Sequence, residues 1–487
     1  MPRKERGPRG RRASRLALLP LALMFACAIN PATGERQLAL ISEAQEIEMG
    51  REYDPQIVAS MGLYPDEALQ DYVQELGSRL AASSERPNLP WTFRVLDDPI
   101  VNAFAVPGGF IYLTRGIMGH LTSEAELVGI LGHEIGHVTA RHSVSQMSRQ
   151  QLAQIGLGVG TMVVPELEAV GGLLGAGLQV LMLRYSRDAE READDLGFRY
   201  MNNLDYDPRE LVDVFRMLEQ VGGGREGSAV PGWLQTHPDP RERQIRITAL
   251  VEESGKDFGN ARVARNEYMQ RIDGIVFGEN PRNGFFENDV FYHPDMRFRM
   301  DFPAEWQRVN QRQAVQAMSP QQDAALVLTI AQEGSPQQAR NAFVGQEGVT
   351  ATRTSQESVN GLPAASADFT AATQDGRLQG VALFLAHEGT VFTLLGYAPE
   401  GAWSAREQAV RSALGSFRPL TDQRILAVQP RRIEGVNPSQ SLSFQQFVSQ
   451  YPSTIPSELV ALINQVSPGE QIPAGTMMKR VTGGENP

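Results

Sequence analysis

The five residues His133-Glu134-Ile135-Gly136-His137, inside the longer stretch Leu127–His142 (LVGILGHEIGHVTARH), constrain this chain more than any other feature. On a helix of ~3.6 residues per turn, positions four apart lie one above the other, so His133 and His137 present two imidazoles to one point. Leu127, Val128, Ile130, Leu131, Ile135 and Val138 give the segment an apolar face, which predicts a buried helix. Two imidazoles and a carboxylate inside such a helix need partners, and a metal ion supplies them. The spacing offers zinc two nitrogen ligands and turns Glu134 toward an open coordination position as general base. The same pattern also arises by chance on solvated helices, so a third ligand must be found elsewhere.

Tyr185–Gly197 (YSRDAEREADDLG) opens with Ser186, a good N-cap, and sets Glu190 and Asp194 four apart on the helix that follows. A catalytic zinc site takes three protein ligands and leaves the fourth position to water, and two His with one Glu form a known set. Glu190 is the candidate third ligand. Asp194 is the candidate carboxylate that orients a ligating imidazole through its other ring nitrogen. Taken alone, Asp188, Glu192 and Asp195 make a solvated acidic face the simpler reading of this helix.

Together the two segments resemble the zinc metallopeptidase family that includes the CAAX prenyl-protease and the bacterial HtpX proteases. The pattern is HExxH followed some fifty residues later by SRxxExEAD, matched here by Ser186-Arg187, Glu190 and Glu192-Ala193-Asp194. Further stretches resemble the soluble periplasmic branch of that family: NPATG at Asn30–Gly34, NAFAVPGGFIYLTRG before the motif, and Thr236-His237-Pro238 followed by Arg243 and Ile245. The resemblance implies one zinc ion per chain held by His133, His137 and Glu190, with Glu134 as base and Asp194 as orienting carboxylate. It also makes His237 a candidate latch or fourth ligand. It covers roughly residues 30–251, close to half of the chain.

The 487 residues suffice for two to four domains, and the net charge of −12 argues against nucleic acid as a partner. Seven basic residues within Arg3–Arg15 precede the apolar run Leu16–Ile29, the layout of an export signal rather than of a spanning helix. The chain has one cysteine, Cys27, which excludes an intrachain disulfide and a cysteine-ligated metal. Leu23-Met24-Phe25-Ala26-Cys27 resembles a bacterial lipobox, so residues 1–27 are expected to be a signal peptide with a lipidation site at Cys27. Ala28 rather than Asp follows it, which by resemblance to Gram-negative lipoprotein sorting implies a periplasmic protein anchored by lipid to the outer membrane.

The fold expected is α+β. A mainly helical metalloprotease domain of the gluzincin kind, with a small β-sheet, takes residues 28–280. Helices are expected at 43–52, capped by Ser42 with Gln45, and at 66–82. Two short strands, Ala103–Val106 and Phe110–Leu113, flank Pro107-Gly108-Gly109 just before the metal helix. A substrate backbone can add to the edge of such a hairpin. The Gly-rich apolar stretch Leu152–Leu183 reads as buried or site-covering helices. Residues 283–420 alternate like strands and close on a helix at Ser404–Leu414, resembling a PsbP-like α/β domain. Residues 424–482 resemble a small LysM-like module, with Ile463-Asn464 on its second helix and the turn Pro473-Ala474-Gly475. His293 and His387, without carboxylates at ligand spacing, are read as structural.

The function expected is a zinc endopeptidase of the cell envelope that degrades unfolded or misfolded envelope proteins. Two other readings stand beside it. One is an envelope assembly factor or chaperone with a latched protease site. The other is a cell-wall factor whose last module binds peptidoglycan.

Overall fold

The computed structural model describes residues 27–157, 184–223, 232–373 and 376–484. The expected signal peptide and most of the Gly-rich stretch lie outside these residues.

The chain begins with a small hairpin of β1 (Cys27–Ile29) and β2 (Arg36–Leu38) around the NPATG turn. Helix α1 (Glu43–Met61) starts at the expected capping box of Ser42 and Gln45. It runs through Pro55 well past position 52, because Tyr53 and Ile57 bury against Phe104, Phe110 and Tyr112. Helix α2 (Glu67–Ala82), capped by Asp66, turns Leu69, Val73, Leu76 and Leu80 inward. Strands β3 (Thr92–Leu96), β4 (Ala103–Val106) and β5 (Phe110–Thr114) form a sheet in the order β3-β5-β4, with β3 parallel and β4 antiparallel to β5. A short α3 (Arg115–His120) leads to α4 (Glu124–Thr139), capped by Ser123 and buried over its whole length. Helix α5 (His142–Leu157) follows, then α6 (Arg187–Asn203), α7 (Glu210–Gly223), α8 (Gly232–Thr236), α9 (Pro240–Ser254) and α10 (Arg265–Arg271). Ser186 caps α6 as the sequence predicts.

A second body follows, made of two antiparallel sheets. The larger has seven strands: β9 (Gln307–Asn310), β10 (Val315–Met318), β11 (Ala325–Ile330), β12 (Val349–Val359), β13 (Leu362–Thr373), β14 (Gly376–His387) and β15 (Thr390–Pro399), in the order β12-β13-β14-β15-β11-β10-β9. Helix α12 (Glu400–Gly415) covers one face with Trp403, Val410 and Leu414. Helix α11 (Pro336–Val344) covers the other with Ala339 and Phe343. A four-stranded sheet of β6 (Phe285–Glu287), β7 (Val290–His293), β8 (Phe298–Asp301) and β16 (Arg418–Pro419) closes the end. His387 bonds the Arg297 carbonyl and His293 accepts from the Met296 amide, so both imidazoles serve the backbone.

The last segment keeps the predicted order of strand, two helices and strand. Strand β17 (Arg432–Val436) pairs with β20 (Met478–Thr482), and α14 (Phe444–Gln450) and α15 (Ser457–Asn464) lie between them, after α13 (Gln423–Leu426). Two minor strands, β18 (Leu442–Ser443) and β19 (Gln471–Ile472), pair beside them. Its buried residues, among them Ile433, Phe447, Ile463 and Val481, join the hydrophobic core of the helical body rather than a core of their own. Lys479, fully buried, donates from Nζ to the carbonyls of Gly119 and Leu121 at 2.9 and 2.7 Å, satisfying the end of α3. The middle body is thereby looped out between two neighbouring points, for the Phe277 amide donates to the Arg431 carbonyl at 2.8 Å and Val276 bridges to Arg432.

Candidate metal centre

The site is built where α4 crosses α6 at close range. A Cβ placed on Gly132 would lie 3.2 Å from the Gly197 Cα, and one on Gly136 only 3.1 Å from Ala193. The two glycines of GHEIGH therefore do more than space the motif: they let the helix carrying His133 and His137 approach the helix carrying Glu190 and Asp194. All four side chains are buried, and His237, just after α8, comes in from a third direction.

His133, His137, Glu190 and His237 each offer one donor atom, and these atoms lie within 4.8 Å of one another. His133 Nε2 is 3.0 Å from His137 Nε2, 3.6 Å from Glu190 Oε2 and 3.3 Å from His237 Nδ1. His137 Nε2 is 3.5 Å from Glu190 Oε1. Tetrahedral ligands at ~2.0–2.1 Å from a zinc ion would stand roughly 3.3 Å apart, so the donor set fits that ion. The tautomers agree. His133 Nδ1 is 3.0 Å from both Asp194 Oδ1 and Arg243 Nη2, with the carboxylate as the acceptor for a proton on Nδ1, and His137 Nδ1 is 2.8 Å from His142 Nδ1, so with this tautomer both proton-bearing nitrogens point outward. The two Nε2 lone pairs then face each other, an arrangement that a cation between them makes favourable. Burial, with the Arg243 charge and the neighbouring imidazoles adding to it, drives both rings well below the usual histidine range and keeps them as neutral donors.

Glu134 projects from the same helix. Both its carboxylate oxygens are buried without a hydrogen-bond partner, and burial pushes the carboxyl up to about 7. A carboxyl so placed is a poised proton acceptor. His237 Nε2, which also lacks a hydrogen-bond partner, lies 3.6 Å from Glu134 Oε1. His237 thus stands between Glu134 and Glu190, with its Nδ1 3.0 Å from Glu190 Oε1 and its ring stacked on Trp233 at 4.2 Å.

Three further residues belong here that the sequence reading gave no role. Arg243 donates from Nε and Nη2 to the two oxygens of Asp194 at 2.9 and 2.6 Å, lies 3.2 Å from Glu190 through Nη1, and stacks on Phe215 at 4.1 Å. Tyr185 stacks on His137 at 3.9 Å. His142 backs His137. Arg243 followed the THP motif and Tyr185 preceded SRxxE, so proximity to a motif was the available signal for both. Strand β4 is an edge of its sheet, as the hairpin implied, but all four of its residues are buried, and the Trp233 amide donates to the Val101 carbonyl just before it. Cys27, in β1, is backbone-paired with Leu38.

Comparison with known proteins agrees with this geometry. Residues 67–252 match the model of peptidase family M48. A beta-barrel assembly-enhancing protease of Yersinia pestis is 32% identical over 222 residues, 44% of this chain and 45% of that protein. The protein of the same name from Escherichia coli K12 is 29% identical over 245 residues, 47% of this chain and 50% of the other. The mitochondrial metalloendopeptidase OMA1 of Arabidopsis thaliana is 34% identical over 164 residues, 34% of this chain and 32% of its own. The chain spans about half the length of the bacterial relatives it matches. Among solved structures, cyanobacterial PsbP from Synechocystis aligns with 28% of this chain and 95% of its own at 13% identity and a TM-score of 0.24. The match to peptidase family M48 thus spans His133, His137, Glu190 and His237, the whole of the donor set.

Proposed function

We propose that this protein is a zinc endopeptidase acting on unfolded or misfolded proteins of the bacterial cell envelope. His133, His137 and Glu190 would hold the ion, Glu134 serve as base, and Asp194 orient His133. The observation that carries the reading is the buried His-His-Glu donor set facing a buried carboxylate with both oxygens unpaired. When bound, zinc supplies Lewis-acid activation of a water and of the scissile carbonyl. Glu134 takes the proton of the attacking water on a carboxylate oxygen and delivers it to the leaving amine. Asp194, itself held by two of the three guanidinium nitrogens of Arg243, keeps the His133 proton on Nδ1. The test is metal content of the mature chain: one zinc per chain in the wild type, lost in Glu190→Ala. A zinc-free wild type or a zinc-replete variant would overturn the assignment.

The position of His237 supports a second, regulatory reading: a latched site in an envelope assembly factor. Its ring fills the space between Glu134 and Glu190 where a substrate carbonyl would need to enter. His237→Ala is then expected to cleave casein several-fold faster than wild type with zinc retained. Unchanged or slower cleavage would remove the latch.

Among the described residues no helix is long and apolar enough to cross a membrane. Lipidation at Cys27, the periplasmic face of the outer membrane of a Gram-negative cell as location, and peptidoglycan as a further partner are parts of the same proposal, resting on the lipobox and LysM-like patterns. In the proposed division, 28–280 is the protease domain, 283–420 the PsbP-like domain and 424–482 the LysM-like module.

A further inference from the structure

The NPATG turn takes no part in the chemistry above, and neither do two polar side chains that lie between it and the metal centre. His142 follows His137 by five residues, out of helical phase. The chain turns back on itself between α4 and α5 because Arg141 adopts a φ of +60°, and this sets the two imidazoles edge to face with Nδ1 atoms 2.8 Å apart. His142 Nε2 lies 3.3 Å from Glu192 Oε2 on α6. Glu192 Oε1 accepts from the side-chain amide of Asn30 at 2.6 Å.

Asn30 is itself held firmly. Its Oδ1 accepts from the Ala32 amide at 2.9 Å, its own amide donates to the Glu35 carbonyl, and its carbonyl accepts from Gly34, which sits at a φ of +76°. Asn30 and His142 are buried.

One assignment of protons satisfies every link. His137 turns the Nε2 lone pair to the donor cluster, so its Nδ1–H donates to His142 Nδ1. His142 then carries its proton on Nε2 and donates to Glu192, an acceptor only, whose second oxygen takes the Asn30 amide. His133 has Asp194 in this role directly. His137 reaches its carboxylate through an intervening imidazole.

We propose that Asn30, Glu192 and His142 are positioning residues of the metal centre, a hydrogen-bonded chain through which the NPATG turn fixes the tautomer and ring orientation of His137. The proposal rests on the reading of His137 as a zinc ligand. The N-terminal turn is then part of the metallopeptidase site although it lies outside residues 67–252 that match the family.

The test measures zinc affinity of the mature chain by competition with a chromogenic chelator. His142→Leu is expected to weaken zinc binding by about 10–100-fold, the usual cost of losing a partner behind a ligand. His142→Gln offers a carbonyl to His137 and an amide to Glu192, and is expected to remain within about threefold of wild type. Asn30→Asp sets two carboxylates face to face and should weaken binding by roughly tenfold. The exchange Asn30→Asp with Glu192→Gln restores one donor against one acceptor and should recover affinity. Melting temperatures in excess EDTA provide the folding control, since a positioning role leaves the metal-free protein unchanged. Wild-type affinity in His142→Leu, or no recovery in the exchanged pair, overturns the proposal. A wild type that binds no zinc overturns the metal centre itself, a distinct result.

Discussion

Glu134 and Asp194 are both buried carboxyl groups within one site, and their surroundings separate them. Asp194 is engaged by His133 and twice by Arg243, whereas Glu134 has no hydrogen-bond partner and is pushed up to about 7 by burial. One is a fixed anchor and the other is free to trade a proton. Replacing Glu134 with Gln keeps the shape and removes the carboxylate proposed as base. Zinc content should stay at one per chain while casein cleavage falls by about 10²–10⁴-fold, the range for loss of a general base. Cleavage at the wild-type rate would dismiss Glu134 from the mechanism. Much of this site was legible from residue types and spacing. HExxH and the Glu190–Asp194 pair need only helical geometry and a good N-cap to be read. His142 was not legible, because its approach to His137 depends on the positive φ of Arg141, which no periodicity encodes. The pairing of Arg243 with Asp194 was equally hidden, being a contact across 49 residues between two helices.

At the scale of the elements, the crossing of α4 and α6 is the critical dimension. A Cβ on Gly197 would meet the His133 backbone nitrogen at 3.1 Å, a contact that a rigid helix backbone cannot relieve by a rotamer change. Gly197→Val is expected to destabilise the protein by about 1–3 kcal/mol through overpacking and to weaken zinc binding by spreading the ligands. Denaturant unfolding and chelator competition would check both, and an unperturbed variant would show that the crossing has slack. The role of these glycines was not legible in the sequence, since packing between helices distant along the chain is not a local property. Element boundaries followed the same rule. The hairpin at 103–113 was readable from its turn glycines, while the extension of α1 through Pro55 came from burial of Tyr53 and Ile57 against a sheet.

For the molecule as a whole, the last segment behaves as part of the peptidase body. Glu126 shows the energetic side of this. It lies on the first turn of α4, accepts from Gln465 Nε2 at 3.0 Å, and burial followed by the charge of Glu210 raises its carboxyl from an ordinary 4.5 to about 7. A group whose value is raised on folding favours the folded state below its unfolded value, and that contribution is lost as pH rises through its folded value. Stability of the wild type should therefore fall relative to Glu126→Gln between pH 4.5 and about 7, read from urea midpoints across that range. Parallel curves for the two proteins would contradict it. The same architecture says which truncations are informative. Joining residue 278 to residue 431 by a short Gly-Ser linker should leave a cooperatively folding, zinc-binding protein, because Phe277 and Arg431 are already hydrogen-bonded neighbours. Stopping the chain before β17 should give an insoluble or molten product, since it strips core residues such as Ile433, Phe447 and Val481. A stable, zinc-binding truncation of that kind would refute the shared core. The closing helix of the middle region and the strand-helix-helix-strand order of the last could be read from sequence, but helix α11 could not, nor could which core the last strand joins, because its alternating residues suit either.

Lys479 has a consequence in time as well as in space. Its side-chain nitrogen caps carbonyls at Gly119 and Leu121, 360 and 358 residues earlier, next to the start of the metal helix. A chain synthesised from its N-terminus carries HExxH long before it carries this cap. The helical body consequently stays unfinished until Lys479 has been made, and a chain stopped short of it lacks the cap beside the metal helix.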